Sequence, residues 1–513
     1  MNSISVNKTF SFVKKSQSKT KSEYVLTSFI LLRLLGFVYL VAFLSLAVQV
    51  IPLIGKNGLL PANNYLHAVG SQFENKLDAF IRLPTIFLVD ASDKYLLLFA
   101  WAGVVLSLVV LFGFANAPIL FILWFVYLSF VHIGQLWYSY GWEIQLLETG
   151  FLAIFLCPLI DPRPFSNPPK LVIWLFRWLT FRIYLGAGLI KLRGDSCWRD
   201  LTCLYYHYET QPIPNPLSRF MHFLPKWYHK LEVLWNHFVE LVVPFFVFYP
   251  RIARNIAGIL LVSFQIILIL SGNLSFLNWL TIIPGIACFD DDFLRKILPK
   301  WIINKADAKA KHLHKSRNIA ALLLLIITLW LSIPVVQNLI SPHQYMNTSF
   351  NRWDFVNTYG AFGSIGKERY ELILEGTYEE VITPQTKWKE YEFKAKPGNP
   401  YRQLPIIAPY QPRVDWQIWF AAMERPEQNP WIIHLIWKLL SNDKDALSLI
   451  ANNPFPDKQP NFIRVGFYRY SFAPLEDKSG AIWNRSYVGE WLQPLSKSMP
   501  GLHDYLKAYG WEN

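Results

Sequence analysis

The side chains that could do chemistry in this sequence lie at the ends of long apolar stretches. Residues 141–158 read GWEIQLLETGFLAIFLCP and carry Glu143 and Glu148 just before an apolar run. Another apolar run ends in YLGAGLIKLRGD, which contains Lys191. A carboxylate at the edge of a lipid bilayer is costly unless a partner satisfies it. We therefore expect these charged groups to meet polar side chains from other parts of the chain.

Ionisable residues are expected to gather at one depth, because four helix ends should meet near the outer face of the membrane. This candidate polar cluster consists of His132, Glu143, Glu148, Arg182, Lys191, His237 and Glu240. Arg182 precedes Lys191 by nine residues, which puts it roughly 13 Å deeper in a helix that rises about 1.5 Å per residue. A charge at that depth needs a partner, for which Glu148 and Glu240 are the candidates.

Three roles are open to the candidate polar cluster. It can be a structural ion network, because Glu148 lies near the start of its helix, where the helix dipole favours a carboxylate, and because Gly186 and Gly188 allow another helix to approach closely. It can instead line a catalytic cavity that opens to the outer side, with Lys191 as the base, since a buried lysine loses proton affinity. The third role is transport, at which only the interruption of an apolar run by Pro284 hints.

The composition indicates an integral membrane protein. Of the 513 residues, 53% are hydrophobic and 17% are charged, whereas soluble domains contain about 25% charged residues. Several apolar runs approach the roughly 20 residues that span a bilayer. We predict a polytopic α-helical membrane bundle of about nine spans, with runs near residues 25–50, 94–114, 117–137, 145–160, 170–192, 231–249, 255–271, 275–289 and 318–338.

The net charge of +13 comes largely from Lys and Arg residues that cluster just outside the apolar runs. Such clusters mark the cytosolic side of membrane proteins, so we do not expect nucleic acid binding. The pattern predicts a cytosolic basic N-terminus at 1–24, a multi-span domain at 25–340 and an outer domain at 341–513. The loop 193–230 departs from this rule, because it places basic residues on the outer side: Arg193, Arg199, Arg219, Lys226 and Lys230.

The outer side would be the ER lumen in a eukaryote or the periplasm in a bacterium, and both compartments permit disulfides. Cys197 and Cys203 can form a disulfide there, or they can remain two free thiols on one short helix. Two glycosylation sequons begin at Asn347 and Asn484. These sequons matter only in a eukaryotic host.

The last third of the chain is predicted to fold as a β-rich, sandwich-like extramembrane domain. In KEYEFKAKPGN, Tyr391, Phe393 and Ala395 alternate with charged residues, which is the period of a half-buried strand. The segments RYELILEG and FIRVGFYRYSF also have the character of strands, while PWIIHLIWKLL at 430–440 is typical of an amphipathic helix.

The segment RVDWQIWFAAM is the first candidate for a partner-binding surface, because Arg and Trp are enriched at the residues that dominate binding energy. The candidate residues are Arg413, Asp415, Trp416 and Trp419. The alternative is that the tryptophans pack the core of the domain or rest on the membrane. The motifs HExxH, paired CxxC and GxSxG do not occur, and we predict no cofactor and no metal.

Several long motifs resemble the lipase maturation factor family. They are SYGWEIQLLETGFLAIFLCP, GAGLIKLRGDSCWRDLTCLYYHYETQPIPNPLS, FVNTYGAFGSIGKERYELILEGT, EYEFKAKPGNPYRQLPIIAPYQPRVDWQIWFAAM and NPFPDKQPNFIRVGFYRYSF. The resemblance implies a multi-pass ER membrane protein that helps secreted lipases fold and assemble into active dimers, with a lumenal tail that faces the client. It implies no cofactor and no established catalytic residue. A bacterial member would lie in the inner membrane with an unknown client.

A more distant similarity relates the membrane half to vitamin K-dependent carboxylases through the segment GAGLIKL. In those enzymes a lysine of a similar segment acts as a base, and the similarity would give this role to Lys191. The alternative to a non-catalytic maturation factor is therefore a membrane enzyme with a carboxylase-like site around Lys191. A transporter ranks third.

Overall fold

The computed structural model describes residues 23–309 and 315–512, without the side chains of Lys76 and Lys309. The basic N-terminus predicted at 1–24 lies outside the described residues apart from its last two. We call residues 25–340 the bundle and residues 341–512 the tail.

Nine helices follow the predicted apolar runs of the bundle. They are α1 (Val25–Ala47), α2 (Asp93–Leu111), α3 (Ala117–Ile133), α4 (Gly141–Ile154), α5 (Lys170–Arg193), α6 (Lys226–His237), α7 (Arg251–Ser271), α8 (Leu277–Gly285) and α9 (Lys315–Ile340). Helix α6 continues through a π-helical turn, Phe238–Val242, and a 3₁₀ turn, Val243–Phe248.

Six helices among the described residues are long and apolar enough to cross a membrane, and the chain is a multi-pass membrane protein. They are α1, α2, α5, α7, α9 and α6 with its continuation to Phe248. The predicted count of about nine spans is not confirmed, because α3, α4 and α8 have only 17, 14 and 9 residues, fewer than the roughly 20 that a span needs. Helix α8 stays short because Pro284, which lacks an N–H donor, lies near its end.

Helix α5 lies at the centre of the bundle, where α4, α8, α9 and the Phe238–Val242 turn contact it. Its glycines are the points of closest approach. A Cβ atom on Gly186 would lie 2.4 Å from the Tyr359 carbonyl oxygen, and one on Gly188 would lie 2.6 Å from Leu241 Cδ2. Gly186 therefore allows the backbone of the tail, rather than only another helix, to pack directly on α5.

Short helices and turns fill the connections. In the bundle these are Val50–Ile54, Ala62–Gly70, Lys76–Arg82, Ile86–Leu88, Gln135–Tyr138, Ser196–Arg199, Leu204–Thr210, Pro216–His222, Ile286–Cys288, Asp291–Leu294 and Lys300–Lys309. The tail contains α10 (Arg413–Ala421), α11 (Pro430–Leu440) and the short helices Pro426–Gln428, Lys444–Ser448 and Pro500–Ala508.

The tail contains one four-stranded antiparallel sheet and two two-stranded ladders. The strands are β1 (Thr348–Ser349), β2 (Asn357–Thr358), β3 (Arg369–Thr377), β4 (Lys389–Glu390), β5 (Glu392–Phe393), β6 (Ile450–Asn452), β7 (Phe462–Phe472) and β8 (Trp483–Leu495). The large sheet has the order β4-β3-β7-β8, with Ile373 opposite Gly466 and Tyr468 opposite Tyr487.

The tail does not form the predicted sandwich. Helix α10 contacts β3 and α11 contacts β7, so apolar helices cover the sheet where a sandwich would have a second sheet. The strands β3 and β7 and the helix α11 coincide with the predicted segments. The 13-residue strand β8 was not expected, because most of its residues are exposed or half-buried and its sequence lacks a regular apolar alternation.

The tail and the bundle share one hydrophobic core, to which Leu372 and Trp431 of the tail and Leu46 and Trp137 of the bundle all belong. His434 of α11 is buried at this boundary. Its Nδ1 atom lies 2.8 Å from the Leu59 carbonyl oxygen, and its ring stacks on Trp511 with centroids 4.5 Å apart. Burial lowers the pKa of His434 to about 4.

We predict that acidification weakens the contact between tail and bundle through His434. Because its pKa is lower in the folded chain than in the unfolded chain, stability is lost as the pH falls from about 6.5 towards 4. At pH 5 this residue alone should cost about 2 kcal/mol. Thermal unfolding of detergent-solubilised protein at pH 7.5 and pH 5 measures the effect.

His434→Phe should reduce the fall in Tm between the two pH values, because phenylalanine keeps the ring stacked and has no proton to bind. The matched control is His343→Phe, since His343 is exposed in the tail. An equal pH dependence in the two variants would contradict the assignment.

Candidate functional site

The first carboxylate of α4, Glu143, pairs with a residue of the tail. Arg413 Nη1 donates to Glu143 Oε1 at 2.8 Å, and both side chains are fully buried. Trp142 Nε1 donates to the same oxygen at 3.1 Å, and the Tyr127 hydroxyl donates to Glu143 Oε2. Arg413 also donates to the Trp137 carbonyl oxygen. The partner of Glu143 is therefore not a member of the candidate polar cluster.

The second carboxylate, Glu148, pairs with Arg182 of α5, and both side chains are buried. Of the two partners considered for Arg182, the structure selects Glu148. The tail takes part here too: the Tyr359 hydroxyl donates to Glu148 Oε2 at 2.7 Å, and the Asn357 amide donates to the same oxygen at 3.0 Å. Arg182 Nη1 in turn donates to the Asn357 carbonyl oxygen at 2.8 Å.

The third pair joins Lys191 of α5 to Glu240 in the π-helical turn. Lys191 Nζ lies 2.6 Å and 2.7 Å from the two oxygens of Glu240 and 3.1 Å from Asn236 Oδ1. It also lies 5.0 Å from the ring centroid of Trp198. Three oxygen atoms from two side chains thus surround the Lys191 amino group.

The two histidines of the candidate polar cluster do not join these ion pairs directly, although His237 contacts Trp198, which lies beside Lys191. His132 Nε2 is 3.7 Å from Asp354 Oδ2 of the tail, and His237 Nε2 is 3.0 Å from the Trp198 carbonyl oxygen. The structure therefore distributes the predicted cluster over separate ion pairs on neighbouring helices.

The predicted binding surface of the tail faces inward, which corrects that expectation for three of its four residues. Arg413, Asp415 and Trp416 are buried. Asp415 Oδ1 accepts the backbone amides of Ala395 and Lys396 at 2.6 Å and 2.9 Å, and burial raises the pKa of this carboxyl. These residues hold the tail together and fix it to the bundle.

The structure gives the surroundings of the two outer-loop cysteines and of the two glycosylation sequons. Cys197 and Cys203 form a disulfide in the structure. Asn347 is half-buried and lies against the start of α4, where a Cβ atom on Gly141 would lie 2.3 Å from its Oδ1 atom. Asn484 lies exposed at the start of β8.

A cavity of about 990 Å³ lies between the bundle and the tail. Trp142, Lys191 and Glu240 line it from the bundle, and Tyr359 and Trp419 line it from the tail. Two of the predicted surface residues, Trp416 and Trp419, reach this space, and Trp419 Nε1 donates to the Thr210 carbonyl oxygen at 3.2 Å. A cavity lined by both the bundle and the tail was not predicted from the sequence.

The glycine-rich segment GAFGSIG, residues 360–366, forms part of the cavity wall. The Gly363 carbonyl accepts the Asp195 amide at 2.9 Å. Phe362 packs edge-on against His207 with centroids 4.9 Å apart. Burial lowers the pKa of His207 to about 4, with a smaller contribution from the charge of Lys191. His207 is thus neutral at neutral pH, and the site is suited to apolar binding.

The chain matches two family models in succession. Residues 26–296 match the lipase maturation factor transmembrane domain, and residues 355–493 match the lipase maturation factor C-terminal domain. No solved structure matches the chain.

Curated relatives extend the match to nearly the full length. Lipase maturation factor 1 of Bos taurus is 48% identical over 95% of this chain and 91% of its own length. Lipase maturation factor 1 of Homo sapiens is 47% identical over 95% and 90%. Lipase maturation factor 2 of Xenopus tropicalis is 30% identical over 93% and 83%.

We predict that Arg413→Met strongly destabilises the protein, because it leaves Glu143 buried without its counter-ion. Loss of one partner of a buried ion pair costs about 3–5 kcal/mol, whereas replacing both partners is often neutral. The double variant Arg413→Met/Glu143→Leu should therefore recover most of the stability. Thermal unfolding in detergent and the abundance of the protein in membranes measure both effects.

Arg469→Met is the matched control, since the Arg469–Glu368 pair of the tail has a similar N···O distance of 2.9 Å but is largely exposed. Exposed pairs contribute about 0–1 kcal/mol. If Arg413→Met loses no more stability than Arg469→Met, the buried pair does not hold the tail in place.

Proposed function

This chain belongs to the lipase maturation factor family, and we propose from that membership that it is a membrane-bound factor that assists the folding and assembly of secreted lipases without catalysis of its own. The observation that carries the proposal is the similarity to lipase maturation factor 1 along nearly the whole chain. The site supports the non-catalytic part, because Glu143, Glu148 and Lys191 each serve an ion pair that holds the fold together.

We place the protein in the ER membrane of a eukaryote, or in the inner membrane if the host is bacterial. In this proposal residues 1–24 are cytosolic, residues 25–340 anchor the protein, and residues 341–513 form the lumenal or periplasmic domain. The disulfide supports this orientation, because Cys197 lies beside Asp195, whose amide contacts the tail, and disulfides persist in oxidising compartments.

We assign client binding to the tail and move it from α10 to the edge strand β8. This strand ends the order of the large sheet, and Tyr487 and Val488 expose about half of their surfaces. An edge strand can accept an extended segment of a partner through main-chain hydrogen bonds. A secreted lipase that has not yet folded would offer such segments.

Complementation tests this function. In cells that lack their own lipase maturation factors, expression of this chain should raise the activity of a secreted lipase much more than the amount of synthesised lipase polypeptide. The added activity should elute with the lipase dimer in size-exclusion chromatography. If lipase activity stays at the level of untransfected cells while the chain is abundant in the ER membrane, the proposal is wrong.

A pair of substitutions separates a structural Lys191 from a catalytic one. Lys191→Met should reduce the abundance of the protein, because Glu240 is then buried without a counter-ion. Lys191→Met/Glu240→Leu removes both charges and should restore abundance together with lipase maturation. A catalytic lysine predicts a different result, namely a double variant that is abundant and inactive.

A further inference from the structure

The charged side chains that line the cavity between bundle and tail all have partners within the chain. Glu232 accepts from the Tyr208 hydroxyl at 2.8 Å and lies 2.9 Å from His229 Nδ1. Lys191 is neutralised by Glu240, and Glu368 by Arg469. Arg369 donates to Glu371 and to the carbonyl oxygens of Glu209, Gln211 and Pro212. Each of these charges has a partner within the chain, so the wall offers no spare cation for a carboxylate or a phosphate.

The polar groups of the cavity on α4, α7 and α8 also satisfy one another. Gln145 Nε2 donates to the Thr281 hydroxyl at 3.0 Å, and Asn278 Nδ2 donates to Gln265 Oε1 at 2.8 Å. The other lining side chains are mainly aromatic and aliphatic. Small-molecule sites measure about 300–1,000 Å³, so this cavity has room for a long apolar ligand.

The cavity reaches the lipid-facing surface between α6 and α7. Leu231 and Trp235 of α6 and Ile267 of α7 line the cavity and are also exposed on the outside of the bundle. Both segments carry further exposed apolar residues. These are Trp227, Leu234 and Phe238 in the α6 segment and Ile252, Ile256, Ile259, Ile266 and Leu270 in α7. Such surfaces face acyl chains in a membrane protein.

The opening lies at the depth of the leaflet nearest the tail. Helix α7 contacts the Val243–Phe248 turn that ends the α6 segment, which closes the far end. Ile267 is four residues from the tail-side end of α7, or about 6 Å along the helix. A ligand that enters here comes from the bilayer.

We propose that this cavity is a lipid-binding site that takes up an acyl chain of a phospholipid from the tail-side leaflet through the opening at Leu231 and Ile267, while the headgroup remains outside the cavity. Because Lys191 and Arg369 are already paired, the wall offers no free cation to the carboxylate of a fatty acid, and the lateral opening gives a bilayer lipid direct access. The site is distinct from the client-binding strand β8 and does not depend on the proposed function.

Photolabelling of the full-length protein tests the proposal. The protein is placed in phosphatidylcholine nanodiscs that contain a trace of phosphatidylcholine with a diazirine at the end of one acyl chain, irradiated and digested for mass spectrometry. We expect adducts on cavity-lining peptides that are absent from the lipid surface, such as the segment with Tyr359 and Phe362. Absence of adducts there, with labelling confined to exposed helix faces, would overturn the proposal.

In Leu268→Trp, the larger side chain at this half-buried position of α7 should fill part of the cavity and reduce the cavity adducts about tenfold. Labelling of the exposed face of α9 should stay unchanged. Ile259→Trp is the matched control, because Ile259 lies on the same helix, is exposed and does not line the cavity. Leu231→Trp repeats the test from α6 if Leu268→Trp lowers protein abundance. Equal cavity labelling in all variants contradicts the proposal.

The identity of the ligand is tested on protein purified in mild detergent. Native mass spectrometry should detect one tightly held phospholipid per chain, and the Leu268→Trp variant should lose it. Met423, which lines the cavity on the side of the tail, is exposed as well, so a polypeptide could enter by that route. Detection of a free fatty acid or a bound peptide instead of a phospholipid would overturn the assignment.

Discussion

Two buried carboxylates of α4 constrain the arrangement of the whole chain. Glu143 and Glu148 have no exposed surface, and an unpaired charge in such a place costs several kcal/mol. Arg413 neutralises the first from the tail, and Arg182 neutralises the second from α5 with the help of Asn357 in the tail. Both carboxylates are fully satisfied only when the tail is seated, so the bundle and the tail must fold as one structure.

This coupling explains why a site exists between the two parts. The segment around Tyr359 must lie against Gly186 of α5 to reach Glu148. The segment that begins with Arg413 must enter between Trp137 and Gln49 of the bundle. The two segments cross the bundle at different places, and the space that remains between them and the helices is the cavity. Its walls are therefore a consequence of the ion pairs.

The predictions whose positions were confirmed are those that depend on local sequence pattern. The periodicity of β7 and α11 and the apolar length of α1 or α9 depend only on neighbouring residues. The pairing of Glu143 with Arg413 spans 270 positions, and no sequence pattern near Glu143 indicates it. The same limit explains the error about α10: its Arg and Trp residues are typical of a binding surface, and the surface that they bind belongs to the same chain.

Span length shows a related limit, because a hydropathy pattern treats every apolar run alike. Helices α4 and α8 read as spans, yet the structure uses them as short buried elements around α5. In α4 the buried carboxylates Glu143 and Glu148 pair with Arg413 of the tail and Arg182 of α5. These pairings across the fold are invisible to a hydropathy pattern.

The rigid seating of the tail also bears on where a client would meet this protein. Removal of the bundle would expose Arg413, Trp416 and Trp431, which are buried in the complete chain, and would leave Arg413 without Glu143. An isolated tail would therefore present an apolar and charged surface that the membrane protein does not have, and its binding partners would be those of the exposed core. The edge strand β8, at the opposite end of the sheet order from β4, belongs to the same tail that the Arg413–Glu143 pair fixes to the bundle.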